Sequence, residues 1–227
     1  MPLQKSMIKL LSVADGITLI NAIFGFFAIV MVFLGEIRFA FSFILLALLA
    51  DGLDGIVARK ISKGDLGEYF EAMADMTSLG IAPAVFVYSI YHDMVSWCPF
   101  YHSYLVIALI VFLSLSIIRL ASFHVMKDEK FFVGLPASAS TIILLILAYF
   151  KVEFLYILLV IIIVSFAMVS NVRFPKLGYK IDAVATVLII LTLIMGKSYY
   201  GVAPMLLLIA IVVYALGGPV YLWKSKK

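Results

Sequence analysis

Carboxylate side chains recur at helical spacing in one short polar stretch, residues 50–75, of an otherwise apolar chain. Asp51 and Asp54 fall on one face of a helix, and Glu71 and Asp75 fall on one face of the next helix. Acids gathered in an apolar setting repel one another unless a cation lies between them, and all-oxygen ligands favour hard ions such as Mg²⁺, Mn²⁺ or Ca²⁺. The spacing therefore predicts a divalent metal site.

Glycines accompany these acids, and they indicate what the site could bind. Gly52 and Gly55 lie beside the first two acids, and the lack of a side chain lets a bulky ligand approach the backbone closely. Metal ions neutralise a phosphoryl group and orient its attacking and leaving oxygens, so this set suits a phosphate-bearing substrate. Acids and glycines alone do not identify a transferase.

The composition predicts an all-α integral membrane protein. Of 227 residues, 65% are hydrophobic and 13% charged, and the mean hydropathy is +1.19, which is outside the range of soluble domains. A transmembrane helix needs about 20 apolar residues, so we expect a bundle of about eight transmembrane helices. The eight apolar runs are 15–34, 39–57, 71–91, 104–125, 135–150, 154–170, 183–195 and 203–223.

The positive charges predict the orientation of this bundle. Most of the 17 lysines and arginines fall in the loops on one side, and only Arg38, Lys151 and Lys197 fall on the other. Cytoplasmic loops carry the positive excess, so we expect a plasma-membrane protein with both termini and the carboxylates on the cytoplasmic side. The net charge of +4 then reflects topology and attraction to membrane lipids, and nucleic acid is not an expected partner.

Other polar residues are candidates for ligand contacts. Thr18, Asn21 and Gly25 share a face of the first span, where they form either a helix-packing surface or a ligand-binding surface. Arg119 lies inside an apolar run and should face the carboxylates, because an intramembrane guanidinium is costly without a partner. Arg173 and Lys176 are equally explained by anchoring at the cytoplasmic boundary.

The chain is expected to form one transmembrane domain, residues 1–227. Residues 1–14 could form an amphipathic helix on the membrane surface, and residues 181–227 form a C-terminal helical hairpin with few polar groups. The single cysteine, Cys98, excludes an intrachain disulfide. The three histidines are scattered along the sequence, so a histidine metal site is not expected.

One longer motif connects these features to a known family. The run DGLDGIVAR from Asp51, followed by Gly67, Glu71 and Asp75, closely resembles the CDP-alcohol phosphatidyltransferase signature, DxxDGxxAR and then GxxxDxxxD. The runs DMTSLGIAPA from Asp75 and RLASF from Arg119, with Gly134 to Pro136 and residues 170–175, resemble its phosphatidylserine synthase branch, including the archaeal archaetidylserine synthases.

This resemblance implies a reaction in which the hydroxyl of L-serine attacks the lipid-linked phosphorus of a CDP-lipid and CMP leaves. It implies two divalent ions, Mg²⁺ or Mn²⁺, held by Asp51, Asp54, Glu71 and Asp75, with Asp75 also taking the proton of serine. The CDP-lipid site would comprise Thr18, Asn21, Gly55, Ala58, Arg59 and Gly67. Arg119 and Arg173 would hold the serine carboxylate, which a planar guanidinium fits in a bidentate manner. Anchoring at the membrane surface remains an alternative role for Arg59.

The chain departs from the signature at two points. Glu71 stands where the family has aspartate, and the segment between Arg59 and Gly67 is one residue shorter than the usual pattern. The shorter segment changes only a loop. The additional methylene of Glu71 moves its carboxylate by roughly a bond length, whereas metal ligands tolerate only about 0.2 Å of misfit without backbone adjustment.

Two other functions stay open on the sequence alone. A sister transferase would use glycerol phosphate or inositol phosphate, and Arg119 and Arg173 would then bind a phosphate. An ion-coupled transporter also carries intramembrane acids, but these should be distributed near the middle of the bilayer. The acids here cluster at one face, which favours the enzyme. A homodimer is possible, and the lipid could be an ester or an archaeal ether.

Overall fold

The computed structural model describes residues 11–58, 66–123, 131–176 and 179–224. Within these ranges the chain forms eight helices and one small sheet, so it is an all-helical membrane protein as predicted. The helices are α1 (Val13–Phe33), α2 (Ile37–Ala58), α3 (Gly67–Val95), α4 (Pro99–Phe123), α5 (Ala137–Tyr149), α6 (Phe154–Met168), α7 (Tyr179–Met195) and α8 (Val202–Lys224).

The lengths of these helices bear on the predicted number of spans. Within the described ranges, α1, α3, α4 and α8 contain segments long and apolar enough to cross a membrane. Helices α5, α6 and α7 are apolar but shorter, and α2 has 22 residues. The structure therefore supports a membrane protein with four candidate spans, while a total of about eight stays a prediction.

Helix α1 begins with a capping box. The Ser12 hydroxyl accepts a hydrogen bond from the Asp15 backbone N–H (3.3 Å), and the Asp15 carboxylate accepts one from the Ser12 N–H (2.7 Å). This exchange satisfies two backbone donors that the first helical turn leaves unpaired. Asp15, the first residue of the first predicted span, therefore has a structural role. The amphipathic helix predicted for residues 1–14 lies mostly outside the described residues.

Helix α3 changes its winding directly after Asp75. Residues Met76–Ile81 form a π-helical segment, and α-helix resumes at Ala82 with Pro83 in its first turn. Proline lacks an N–H and disturbs the helix that precedes it, and a π-bulge absorbs such a disturbance. The Thr141 hydroxyl from α5 donates to the Leu79 carbonyl (2.7 Å). The π segment thus lies between Asp75, the catalytic candidate, and the proline.

The core of the molecule is built around α3 and α5. Helix α5 is buried along nearly its whole length, and α3 is the most buried of the four long apolar helices. Helix α1 packs on α2 and α3, α4 packs on α6, and α8 packs on α5 and α7. The outer faces of α1, α4, α6 and α8 expose large apolar side chains, as expected of surfaces that contact lipid. Central α3 is therefore held on several sides.

A two-stranded antiparallel sheet joins two loops at one end of the bundle. Strand β1 (Phe131–Val133) pairs with β2 (Arg173–Pro175), and Phe132 is opposite Phe174. Gly134 follows with φ +79°, and a Cβ there would lie 2.1 Å from the Met168 carbonyl oxygen, so no other residue fits. This sheet was not predicted from the sequence, and it fastens the start of α5 to the end of α6.

Candidate active site

Asp75 and Asn21 form the best-defined polar contact among the predicted site residues. The Asn21 side-chain amide on α1 donates to the Asp75 carboxylate on α3 (2.9 Å). Asn21 is 0% and Asp75 8% exposed. A hydrogen bond between a neutral donor and an ionised acceptor is stronger than one between neutral groups, and burial strengthens it further. The contact fixes the position of the Asp75 carboxylate.

The close approach of α1 to α3 makes this contact possible. Gly25 lies one turn after Asn21, and a Cβ at Gly25 would come within 2.8 Å of the Ser78 Cα in the π segment. Only a glycine permits that distance between the helices. The two explanations considered for this face of α1 therefore apply to different residues, since Gly25 packs against α3 whereas Asn21 contacts the candidate base.

The carbonyl oxygen of Asn21 has a different status from its amide nitrogen. Asn21 Oδ1 is buried and has no hydrogen-bond partner among the described residues. A buried acceptor without a partner costs about 1–3 kcal/mol. A bound substrate with an N–H or O–H donor would remove this penalty. Thr18, one turn earlier on the same face, is also buried, at 5% exposed.

The other predicted metal ligands are described less completely. Asp51 and Glu71 are half-buried on α2 and α3, and Gly67 is buried at the start of α3. Asp54, Gly55 and Ala58 lie in the last turns of α2, and their side chains are not among those described. Arg59 lies outside the described residues. Within the described ranges, no group of three or more His, Cys, Asp or Glu side chains is arranged to hold a metal ion.

Arg119 and Arg173 occupy different surroundings near the small sheet. Arg119 on α4 is 8% exposed, and its Nε donates to the Leu135 carbonyl between β1 and α5 (3.3 Å). Arg173 in β2 is exposed, and its guanidinium lies 4.5 Å from the centre of the Phe131 ring in β1, a favourable cation–π distance. The sheet thus helps to position both arginines that the resemblance assigns to the acceptor.

Helix α8 also contributes to the region around the small sheet. From the sequence, α8 was expected only to form part of a structural hairpin. The Tyr214 hydroxyl on α8 donates to the Pro175 carbonyl in β2 (3.2 Å), and its ring lies against Phe174. A Cβ at Gly218, one turn later, would lie 2.8 Å from Pro175. The sequence signal for this contact was a tyrosine and a glycine four residues apart, which lie on one face of a helix. The tyrosine can donate a hydrogen bond to a neighbouring element, and the glycine lets that element come close.

Two of the three histidines are close in space, although they are distant in sequence. The rings of His92 on α3 and His102 on α4 have centres 5.6 Å apart, and the Tyr88 hydroxyl is 3.1 Å from His102 Nε2. His124 lies outside the described residues. No third His, Cys, Asp or Glu completes a metal site with them among the described residues.

The fold and the site together define a helical membrane protein with a buried carboxylate, flanking acids on two helices and arginines beside a small sheet. Residues 11–169 match the family model for CDP-alcohol phosphatidyltransferase. The match covers most of the chain, and the chain belongs to this family.

Curated relatives agree with the branch that the motifs indicate. A Methanocaldococcus jannaschii protein named CDP-diacylglycerol--serine O-phosphatidyltransferase is 29% identical over 174 residues, which are 76% of this chain and 78% of that protein. The archaetidylserine synthase of Methanothermobacter thermautotrophicus is 34% identical over 179 residues, 76% of this chain and 73% of its own length. A Bacillus subtilis protein with the first name is 31% identical over 166 residues, 70% and 87% of the two chains.

Proposed function

We propose that this protein transfers the phosphatidyl group of a CDP-lipid to L-serine and releases CMP. The observation that carries the proposal is the buried Asp75, the last residue of the signature, held by the amide of Asn21. In the reaction a bond forms between the serine hydroxyl oxygen and the lipid-linked phosphorus, the bond from that phosphorus to CMP breaks, and the hydroxyl proton passes to Asp75. The names of the relatives support serine as the acceptor.

The chemistry of the donor set fits divalent metal ions. Asp51, Asp54, Glu71 and Asp75 supply only carboxylate oxygens, which Mg²⁺ and Mn²⁺ favour. Asn21 orients Asp75 through one oxygen, as residues behind a metal ligand do in many metal sites. Bound divalent ions would neutralise the pyrophosphate charge and orient it for displacement. The residues of the chain would hold the base and position the acceptor.

The acceptor would be held on the side of the site formed by α4 and the small sheet. The burial of Arg119 beside Leu135 suits a guanidinium that pairs with a carboxylate, because a charged group there is stabilised only by close partners. Arg173 would be the second candidate contact. On α1, the unpaired Oδ1 of Asn21 would accept a hydrogen bond from the nucleotide, next to Thr18. These assignments place nucleotide and serine on different helices around Asp75.

The test is transfer of radiolabelled serine to a CDP-lipid by the purified protein, with CMP release measured in parallel. Labelled lipid and CMP should form in equal amounts, and EDTA should abolish both until Mg²⁺ or Mn²⁺ is restored. Glycerol phosphate and inositol phosphate should not replace serine. CMP release that depends on either phosphorylated acceptor would identify the sister transferase, and an absence of CMP release with all three acceptors would contradict the enzyme assignment.

A further inference from the structure

The three cations predicted on the non-cytoplasmic side converge at one place in the structure. Arg38 lies in the first turn of α2, Lys151 follows α5, and Lys197 lies in the turn between α7 and α8. Arg38 and Asp51 are separated by about 20 Å along α2, at roughly 1.5 Å per residue. The cations therefore lie at the opposite end of the bundle from the carboxylate site, and the proposed reaction does not use them.

Lys151 occupies a backbone position that normally belongs to glycine. Helix α5 ends with hydrogen bonds from Lys151 N–H to the Ala148 carbonyl and from Val152 N–H to the Leu147 carbonyl, the Schellman pattern. Lys151 has φ +53°. Helix α1 ends with the same pattern, and there the equivalent residue is Gly35 with φ +76°. The fold tolerates a strained lysine where its other example of this cap has glycine, which indicates a role for the side chain.

Lys197 is held against the end of α5 by aromatic rings. Its ammonium lies 4.4 Å from the centre of the Tyr149 ring and 5.9 Å from that of Phe150. Tyr149 stacks on Phe41 with ring centres 4.0 Å apart, and Phe41 lies one turn after Arg38. The Tyr91 hydroxyl donates to the Val152 carbonyl (2.5 Å). These contacts fix the three segments that carry the cations.

The three charges lack compensation by acids. In the parts of the chain that the structure describes, Arg38, Lys151 and Lys197 form no ion pair, although Glu36 and Glu153 are two residues from Arg38 and Lys151. Burial lowers the pKa of the Lys197 ammonium, and the positive charges of Lys151 and Arg38 lower it further. A bound anion would relieve this repulsion.

We propose that Arg38, Lys151 and Lys197, the far-side basic cluster, bind the phosphate of an anionic phospholipid in the leaflet opposite the active site. The cluster lies at the ends of apolar helices, where basic and aromatic side chains of membrane proteins commonly meet lipid headgroups. Phe39, which is 58% exposed, lies next to Arg38, and Ile194, which is 76% exposed, lies three residues before Lys197. The acyl chains of the bound lipid would cover both side chains. A zwitterionic lipid is a poorer occupant, because its own ammonium would face three cations.

The experiment measures the labelling of individual lysines by an amine-reactive reagent, with mass spectrometry, on purified protein in nanodiscs. Nanodiscs of phosphatidylglycerol and phosphatidylcholine are compared with nanodiscs of phosphatidylcholine alone. An anionic bilayer alters the labelling rate of every lysine near the membrane interface. The rates of Lys151 and Lys197 are therefore divided by the rate of Lys176. Lys176 is at the other end of the bundle, 5.2 Å from the Phe132 ring centre. We expect labelling of Lys151 and Lys197 to slow about fivefold relative to Lys176.

Three variants test whether the cluster binds as a unit. Arg38→Gln should reduce the protection of both lysines, whereas Glu153→Gln, a charge change at the same rim, should preserve it. Lys151→Gly should raise the thermal stability in phosphatidylcholine, because the positive φ no longer opposes a side chain, and it should weaken the protection of Lys197. A loss of stability in Lys151→Gly would show that the positive φ of Lys151 is not strained, and it would remove the backbone evidence for a role of its side chain.

Three results would overturn the proposal. Equal relative labelling of Lys151 and Lys197 in both kinds of nanodisc would remove the lipid site, as would full protection in Arg38→Gln. Equal protection by millimolar inorganic phosphate in phosphatidylcholine nanodiscs would show a general anion site and overturn the assignment to a lipid. None of these readouts depends on serine transfer, so the result is independent of the proposed reaction.

Discussion

Asn21 is the residue whose role the structure changes most. The sequence predicted a nucleotide contact or a packing residue, and the structure places its amide on Asp75 at 2.9 Å. Asn21→Ala removes this donor while leaving α1 intact. A hydrogen bond to a charged group contributes about 1.5–3 kcal/mol, so kcat should fall by roughly 10-fold to 150-fold, as measured by CMP release at saturating serine and CDP-lipid.

A matched variant separates this effect from a general loss of buried hydrogen bonds. Ser165 on α6 is also 0% exposed, and its hydroxyl donates within its own helix to the Ile161 carbonyl (2.6 Å). Ser165→Ala should therefore leave kcat unchanged, with thermal unfolding measured for both variants. A wild-type kcat in Asn21→Ala together with a lower melting temperature would show that Asn21 has only a structural role.

Glu71 is the residue at which this chain departs from its family signature, and we expect it to be a metal ligand. It lies one turn before Asp75 on the same face of α3 and is half-buried, at the position where the signature has a carboxylate. Glu71→Asp should keep metal-dependent activity. Glu71→Ala should lower turnover by at least about tenfold and shift the Mg²⁺ and Mn²⁺ dependence of CMP release to higher concentrations.

Glu68 provides the control for this series, because it lies on the same helix but is exposed and outside the signature spacing. Glu68→Ala should show the wild-type dependence on Mg²⁺ and Mn²⁺. If Glu71→Ala behaves like Glu68→Ala in rate and metal dependence, Glu71 is not a ligand, and the cluster consists of Asp51, Asp54 and Asp75.

At the scale of elements, the helices could be predicted from the sequence because they depend on local composition. Each of the eight apolar runs falls on one of the eight helices in the described ranges, because a long apolar run has few alternatives to a helix in a membrane. The β1–β2 pair was not predicted, because three-residue strands separated by two helices carry no periodic pattern. The Asn21–Asp75 contact likewise depends on how α1 crosses α3, which residue spacing within one helix cannot give.

Helix α8 shows how a tertiary contact alters the interpretation of an element. We expect Tyr214→Phe to make β2, and with it Arg173, less firmly positioned. The variant keeps the ring against Phe174 but loses the hydrogen bond to the Pro175 carbonyl. A neutral hydrogen bond contributes about 0.5–1.5 kcal/mol, so the KM for serine should rise roughly 2-fold to 12-fold. The KM for CDP-lipid and kcat should change little.

The matched control for this prediction is on the same helix. Tyr221 is 67% exposed, so Tyr221→Phe makes the same chemical change away from β2 and should leave the serine KM at its wild-type value. A wild-type serine KM in Tyr214→Phe would mean that α8 has only a structural role, as the sequence analysis expected.

At the scale of the whole molecule, the distribution of basic residues predicts which loops lie on the same side of the membrane, but it does not predict which basic residues lie close together. The distribution of lysines and arginines divides the loops into two sets without any knowledge of the fold. It could not predict that Arg38, Lys151 and Lys197 meet, because they lie on three elements brought together by Tyr149, Phe41 and the turn after α7. The structure places the carboxylates and this cluster at opposite ends of α2, so orientation decides which of the two faces the cytoplasm.

The orientation can be tested with single cysteines in a Cys98→Ser background. We expect the carboxylate end to face the cytoplasm, because the loops predicted at that end carry most of the basic residues. Cysteines at Lys63 and Lys127 should resist an impermeant thiol reagent in intact cells and react after lysis. A cysteine at Glu153, which is exposed between α5 and α6, should react in intact cells. Reaction at Lys63 and Lys127 with protection at Glu153 would reverse the orientation and place serine transfer on the outer face.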